Sequence, residues 1–439
     1  MKINNFSNVS ISSFLKERQN RFKPDDANKM NLNRLEKIDF LGKIHILENK
    51  KTKTGMILVK KGDLVISGIN IEKGAVAVYT GEEDVLATIH YSSYSFDRSK
   101  IDVEYFRWFL RSKVFKDIVN SSIKGGIKTE LKPKKFLSLV LPLPDLDTQI
   151  YIRKKLDSVV KEIVELNDTN CENYELVQKL RQAILQEAVS GKLVPQDPND
   201  EPASELLQRI KAEKEKLIKG KKIKKEKPLQ PDAENEILFQ QPKGWKWVHL
   251  QEIMQINPRN YLSDEIDISF IPMNLIEDGF TDKHKSIKKK WGEVKYGFTH
   301  LMENDVVIAK ITPCFQNRKS AIMRNLVNGY GAGTTELYVF RSYGNTIIPE
   351  FLLLLFKSKG FINGGIDSFK GTAGQQRVKR EYIENLLVGL PPYNEQIRIA
   401  SQSAQLMKLC DDLEEKTKEN QKNSKLLMEA VLREAFEPK

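Results

Sequence analysis

One stretch of this sequence occurs twice. Leu143-Pro144-Asp145-Leu146-Asp147-Thr148-Gln149-Ile150 is matched by Leu390-Pro391-Pro392-Tyr393-Asn394-Glu395-Gln396-Ile397, 247 residues further on. The same offset of 247 relates Leu180, Ala183, Ile184, Leu185, Glu187 and Ala188 to Leu427, Ala430, Val431, Leu432, Glu434 and Ala435. Upstream the offset drifts to 246, where Ile101-Asp102-Val103-Glu104-Tyr105 meets Ile347-Ile348-Pro349-Glu350-Phe351. It is 242 where Gly62-Asp63-Leu64-Val65-Ile66 meets Asn304-Asp305-Val306-Val307-Ile308. Four matches in order, with small changes of offset, mark a duplication, so the chain must fold as two versions of one plan. Its 439 residues, 40% of them hydrophobic, suffice for two sizeable cores.

Charge follows the repeat. Net charge is +12; residues 1–145 hold +9 and residues 243–393 hold +5, while 146–242 and 394–439 are each −1. Two basic blocks, each followed by a near-neutral segment, suggest two polyanion contacts on one chain. The run Lys214 to Lys227 looks like a basic arm, but Asp197, Asp200, Glu201 and Glu205 offset much of it, and a solvated linker is the expectation.

The neutral segments read as helices. Thr148 to Val189 contains no Gly or Pro, and apolar residues recur at three- and four-residue steps as Val159, Ile163, Leu166, Val177, Leu180 and Ile184. The second copy offers Leu406, Cys410, Leu413, Leu427 and Val431. Both stripes have a polar middle, Asn170 and Asn173 in one and Thr417, Asn420 and Ser424 in the other, the kind of residue that sets register in a seam. Pattern alone allows parallel or antiparallel pairing; duplication about a two-fold axis favours antiparallel, with the basic blocks at opposite ends.

The blocks themselves read as mixed α/β (α+β). Leu64 to Ile66, Gly74 to Tyr79, Val306 to Ala309 and Glu336 to Phe340 are strand-like, and Asn328 to Gly333 and Gly371 to Gly374 are glycine-rich turns. Helices are expected over Val103 to Ile118 and Pro349 to Phe361, and a shorter one over Pro202 to Lys219 in the connector. The resulting organisation is a basic globular block at 1–145, a long helix at 146–190, a linker at 191–242, a second basic globular block at 243–393 and a second long helix at 394–439. Its fold class is two globular domains separated by two long antiparallel helices in a coiled-coil-like spacer, with a pseudo-two-fold internal repeat.

Motifs for catalysis are missing from the sequence. Leu390-Pro391-Pro392-Tyr393 lacks the Asn or Asp that an amino-methyltransferase loop needs, and its first copy keeps the prolines alone, so a turn into a helix is the expectation. Neither a P-loop nor a strand-borne Gly-x-Gly cofactor motif occurs. Pro231-Asp232 with Glu293-Val294-Lys295 is too dispersed for a nuclease site. Cys171, Cys314 and Cys410, with no C-x-x-C spacing, offer neither a disulfide framework nor a zinc site and suit a reducing cytoplasm. The longest apolar run, Phe351 to Phe356, predicts no membrane span, and Met1 to Ser10 predicts no secretory signal.

Groups able to read bases need amide or fork geometry, whereas phosphates need only charge. In the first block the candidates are Ser67, Asn70, Lys73, His90, Tyr91, Ser92, Tyr94, Lys124, Lys128 and Thr129. In the second they are Lys288, Lys289, Lys290, Trp291, Lys310, Thr312, Gln316, Asn317, Arg318, Lys319, Thr334 and Thr335. The helix seam is assigned to Val159, Ile163, Leu166, Asn173, Val177, Leu180 and Ile184 against Leu406, Cys410, Leu413, Asn420, Leu427 and Val431.

The order of basic block, L-P-x-x-x-x-Q-I helix, linker, basic block and L-P-P-x-x-E-Q-I helix resembles the specificity subunit of type I restriction-modification systems. Leu180 to Val189 followed by Gly191-Lys192-Leu193-Val194-Pro195-Gln196 is similar to that family's central region, and Pro242-Lys243-Gly244-Trp245-Lys246-Trp247 to the start of its second recognition domain. Phe270-Ile271-Pro272-Met273, Lys310 to Phe315 and Gly333-Thr334-Thr335-Glu336 are similar to one class of that domain. The resemblance implies a non-catalytic subunit reading the two halves of an asymmetric duplex target. Its helices would set the spacing and dock two methyltransferase subunits, and a restriction-translocase subunit would join them. S-adenosylmethionine, ATP and Mg²⁺ would belong to those partners. A reader for a methylation-only assembly and a non-specific helical scaffold are the alternatives.

Overall fold

Each block is opened and closed by one two-stranded ribbon. Ser7–Ser10 pairs antiparallel with Val140–Leu143 in the first, and Lys246–His249 with Leu387–Leu390 in the second. The ribbon brings the two ends of a block together and hands the chain straight to a long helix. The computed structural model describes residues 6–39, 42–48, 51–122, 131–223, 242–372 and 374–437. It divides into two units, Met1–Cys171 with Lys418–Lys439, and Glu172–Thr417.

Duplication is visible in the sheets. The first unit has a four-stranded sheet ordered Leu15–Glu17, Tyr91–Phe96, Leu64–Ser67, Val76–Val78; the second orders Met254–Ile256, Leu337–Ser342, Val306–Ala309, Ser320–Ile322 in the same way. Leu64–Ser67 and Val306–Ala309 are buried throughout, which is why they read as unbroken apolar runs. A buried carboxylate precedes each. Asp63 takes a two-pronged bond from Arg18 (2.5 and 2.8 Å) and Asp305 one from Arg341 (2.7 and 2.8 Å), the charge-assisted pairing a buried carboxylate needs. The remaining sheets differ, with five strands in the first unit and four in the second.

The helices expected over Val103 to Ile118 and Pro349 to Phe361 are each two helices, Val103–Phe109 with Lys113–Ser122 and Pro349–Lys357 with Lys359–Asp367. Ser112 and Ser358 break them. Their hydroxyls accept the amides of Phe115 and Phe361 and cap the second helix of each pair. Ala203–Lys219 is likewise more than a solvated connector, because Ala203, Leu206 and Ile210 are buried in the second core and Lys214 donates to the Gln251 carbonyl. Lys224 to Lys227 lie outside the described residues.

The long helices span Leu146–Val189 and Tyr393–Phe436. Burial picks out one strict seven-residue row in each. In the first, Gln149, Leu156, Ile163, Asn170, Val177 and Ile184 are all buried. In the second, Gln396, Ser403, Cys410, Thr417 and Ser424 are buried and Val431 half-buried, each 247 residues after its counterpart. The companion row differs from the expectation. Leu166, Asn173, Leu180, Leu413, Asn420 and Leu427 are exposed, Val159 and Leu406 are half-buried, and Arg181 and Ala188 are buried instead. Apolarity alone favours the leucines. Arg181 faces inward because Asp411 (2.7 Å) and Glu414 (3.1 Å) meet its guanidinium there.

Within the second unit the two helices run antiparallel, since Gln178 and Arg181 reach Glu414 while Ala188 shares a cluster with Ile399. Trp245 closes this end; its indole donates to the buried Glu395 (3.0 Å), whose carboxyl burial pushes up. Gly191 must be glycine, as a Cβ there would lie 2.8 Å from Trp245 and its φ is +70°. Within the first unit, Ile152 and Leu156 pack with Val431, Leu432, Ala435 and Phe436.

Candidate nucleic-acid interface

Three segments far apart in sequence meet at one edge of the second unit. Beyond the strand Val306–Ala309, the amide of Lys310 donates to the Glu336 carbonyl and its carbonyl accepts from the Val378 amide, both at 2.9 Å. The Thr312 amide donates to the Gln376 carbonyl (2.9 Å). A hairpin turn from Lys370 to Arg377 is pinned by mutual backbone bonds of 3.0 and 2.8 Å. Gly371, at φ +120°, permits that turn, where a Cβ would come within 3.0 Å of the Gln375 carbonyl. The Arg377 guanidinium forks onto Glu336 at 2.8 and 2.9 Å and draws its carboxyl below the usual range.

This junction displays what recognition needs. Thr335, Lys370, Thr372, Gln375 and Arg377 are exposed, and Lys310, Thr334 and Gln376 half-exposed. Amides and hydroxyls on a pinned hairpin can pair with base edges, and the cations around them can meet phosphates. Lys310 is also held over the Tyr338 ring at 5.6 Å.

The first unit repeats the arrangement. The Gly68 amide donates to the His90 carbonyl (3.3 Å), and the Leu131 amide to the Gly68 carbonyl (2.9 Å). Gly68, His90 and Leu131 precede Lys310, Glu336 and Val378 by 242, 246 and 247 residues, the same offsets that relate the flanking sequence. His90, Ile69 and Ile89 are exposed here, and Asn70, Tyr91 and Ser92 half-buried. Lys73 is exposed in the short turn Ile71–Lys73. Lys124, Lys128 and Thr129 lie outside the described residues.

Several candidates belong elsewhere. Ser67 and Tyr94 are buried, Tyr94 against Phe136 in the core. Trp291 is a core residue beside Ile268, Val294 and Ala332. Lys288 and Lys290 both pair with Asp267 (2.7 and 3.3 Å), and Lys289 with Glu293 (3.8 Å). Their strand, Ile287–Lys290, is a sheet edge, where lysines discourage pairing with another chain. Arg318 and Lys319 are structural ties, to the Lys357 carbonyl (3.1 Å) and to Asp278 (3.3 Å) respectively; Gln316 and Asn317 stay exposed. The Thr312 hydroxyl is buried and finds no partner among the described residues.

Lys370, Gln375 and Arg377 were not among the candidates. Their signal was present as the glycine-rich turn Gly371 to Gly374 and the match of Lys370-Gly371 to Lys124-Gly125 at offset 246. Among the described residues no helix is long and apolar enough to cross a membrane, and no His/Cys/Asp/Glu group could hold a metal ion.

Residues 242–422 match the family model described as the type I restriction modification DNA specificity domain. The chain is 51% identical over 257 residues to the Escherichia coli type I restriction enzyme EcoAI specificity subunit, covering 58% of this chain and 44% of that one. It is 48% identical over 257 residues to the Escherichia coli EcoEI specificity subunit, covering 58% and 43%. It thus spans less than half the length of these curated relatives. Its fold matches the crystal structure of the HsdS subunit from Thermoanaerobacter tengcongensis, with a TM-score of 0.57 at 15% identity over 98% of this chain and 96% of that one. It also matches a chain from a type I R-M system structure, with a TM-score of 0.66 at 14% identity over 98% and 97%.

Proposed function

We propose that this chain, which belongs to the type I restriction-modification specificity-subunit family, reads a bipartite double-stranded DNA target, one half with each unit. The observation that carries this is the junction built twice at matching repeat offsets, each time with exposed polar groups around it. Because the two junctions carry different side chains, the half-sites differ and the target is asymmetric. The recognition domains are residues 1–145 and 243–393.

The long helices act as an antiparallel, coiled-coil-like spacer with pseudo-two-fold symmetry, and they dock two methyltransferase subunits. Exposed leucines support this. Leu166 and Leu427 are 44% and 47% exposed in the first unit, and Leu413 and Leu180 are 48% and 45% exposed in the second. Leu166 corresponds to Leu413, and Leu180 to Leu427, at the offset of 247. A leucine kept at the surface in both copies is a surface for a partner that binds twice. Catalysis lies with those partners and with a restriction-translocase subunit, which also hold S-adenosylmethionine, ATP and Mg²⁺.

The test lengthens the spacer without disturbing its seam. Seven residues inserted after Asn170 and seven after Thr417 preserve both seven-residue rows and add about 10 Å of helix, room for about three base pairs at ~3.4 Å each. Methylation-site mapping in a host with the cognate methyltransferase is expected to show a longer gap between unchanged half-sites. An unchanged gap, or altered half-site bases, refutes the proposal.

A further inference from the structure

Arg107, Arg111 and Lys116 line a cavity of 360 Å³ in the first unit, together with Gly42, Gly74 and the strand Val76–Val78. The repeat makes this cavity informative. Leu110-Arg111-Ser112-Lys113 aligns with Phe356-Lys357-Ser358-Lys359 at offset 246, and Gly74 and Val76 align with Arg318 and Ser320 at offset 244.

In the second unit the equivalent place is filled from within. Lys357 is 2% exposed, and its ammonium donates to the carbonyls of Gly279 (2.8 Å), Arg318 (3.1 Å) and Ser320 (3.2 Å). That cation is satisfied by backbone. Arg111 is not: it reaches the open cavity with its guanidinium 5.0 Å from the Trp108 ring centre. Among the described residues neither Arg111 nor Lys116 makes an ion pair, while Arg107 holds Glu104 at 2.6 Å. Arg111 and Lys116 are exposed to solvent, and partial burial of the guanidinium, then the neighbouring Arg107 charge, lower the Arg111 pKa without removing its charge. Three cations against one carboxylate on a concave surface match a tetrahedral dianion or a phosphodiester, which Arg binds through its planar fork.

We propose that this cavity binds a phosphate group through Arg111 and Lys116, with Arg107 as the outer cation. The turn Asn70–Lys73 of the candidate interface runs directly into Gly74, so the backbone of a bound duplex is one source of that phosphate; this source rests on the DNA-reading proposal. A free phosphate anion is the other.

Arg111→Ala and Arg111→Lys in the full chain separate the cases. Binding to a duplex carrying the mapped target and to a shuffled duplex is titrated against salt, and thermal unfolding is followed with inorganic phosphate. For a duplex phosphate, Arg111→Ala lowers the slope of log K against log salt by about 0.9 on both duplexes. A roughly tenfold loss at 50 mM salt then shrinks to about threefold at 200 mM, and Arg111→Lys retains most of the slope. For a free anion, the slope is unchanged and inorganic phosphate raises the unfolding temperature of the parent chain but not of Arg111→Ala. An unchanged slope together with no Arg111-dependent phosphate effect overturns the inference. Failure of the parent chain to prefer its mapped target over the shuffled duplex sinks the DNA-reading proposal instead, and leaves the inorganic-phosphate arm intact.

Discussion

Phe436 should be worth more to the first unit than any other residue of the second long helix. Its ring is 0% exposed and meets the edges or faces of Tyr105 and Phe109 at centroid distances of 5.4 and 5.5 Å, in a cluster with Ile152 and Leu156. Replacing a buried Phe by Ala typically costs about 3–5 kcal/mol, the spread reflecting how far the site collapses. Rings on two sides and a helix behind leave little room for collapse, so the expected loss is about 4 kcal/mol, near a thousandfold in the opening equilibrium. Native-state hydrogen exchange reads this by region. In Phe436→Ala, amides of Val103–Phe109 and Lys113–Ser122 that exchange only on global opening should speed up by about that factor, while those of Val306–Ala309 in the second unit hold their rates. Phe436→Leu should fall between. Acceleration of less than about fivefold, under 1 kcal/mol, would refute the claim that this ring completes the first core.

Two further outcomes follow from buried polar groups. Asn170 is buried in the seam with its amide nitrogen unpartnered among the described residues, so Asn170→Leu is expected to raise the urea midpoint, by about 1–3 kcal/mol of stability; a lowered midpoint contradicts the seam assignment. Burial pushes the Lys357 ammonium down to about 7, below its unfolded value of ~10.4. Between those values the unfolded chain binds more protons, so the stability of the parent chain should rise from pH 7 towards 10 relative to Lys357→Met. Parallel pH profiles for the two proteins would refute this.

Much of the candidate site was hidden for a definite reason. Lys288 to Lys290 and Gln316 to Lys319 look equivalent as strings, each rich in cations. Only the fold reveals that Asp267 and Glu293 engage the first set and that Arg318 and Lys319 tie loops together. Conversely, Gln375 and Arg377 sit in an ordinary-looking turn until Lys310 and Glu336 are brought beside it. A side chain's availability depends on partners dozens of residues away, which no local pattern encodes. The helices divided along the same line. Ile163, Val177, Ile184 and Cys410 were legible because one seven-residue row is a one-dimensional property. Leu166 and Leu180 are exposed despite fitting the pattern, because the second row depends on where the other helix lies.

The amino-acid string by itself determined that there are two versions of one plan, that each ends in a long helix, and that positive charge belongs to the blocks. These are matters of repetition, periodicity and composition, and none needs a partner to be defined. Tertiary structure alone decided which of two leucine-bearing helix faces is covered, and which lysines are neutralised. It also left Arg111 open where Lys357 is closed in by three carbonyls. Each of those depends on the energy of bringing distant groups within a few ångströms, and that energy exists only once the chain has folded.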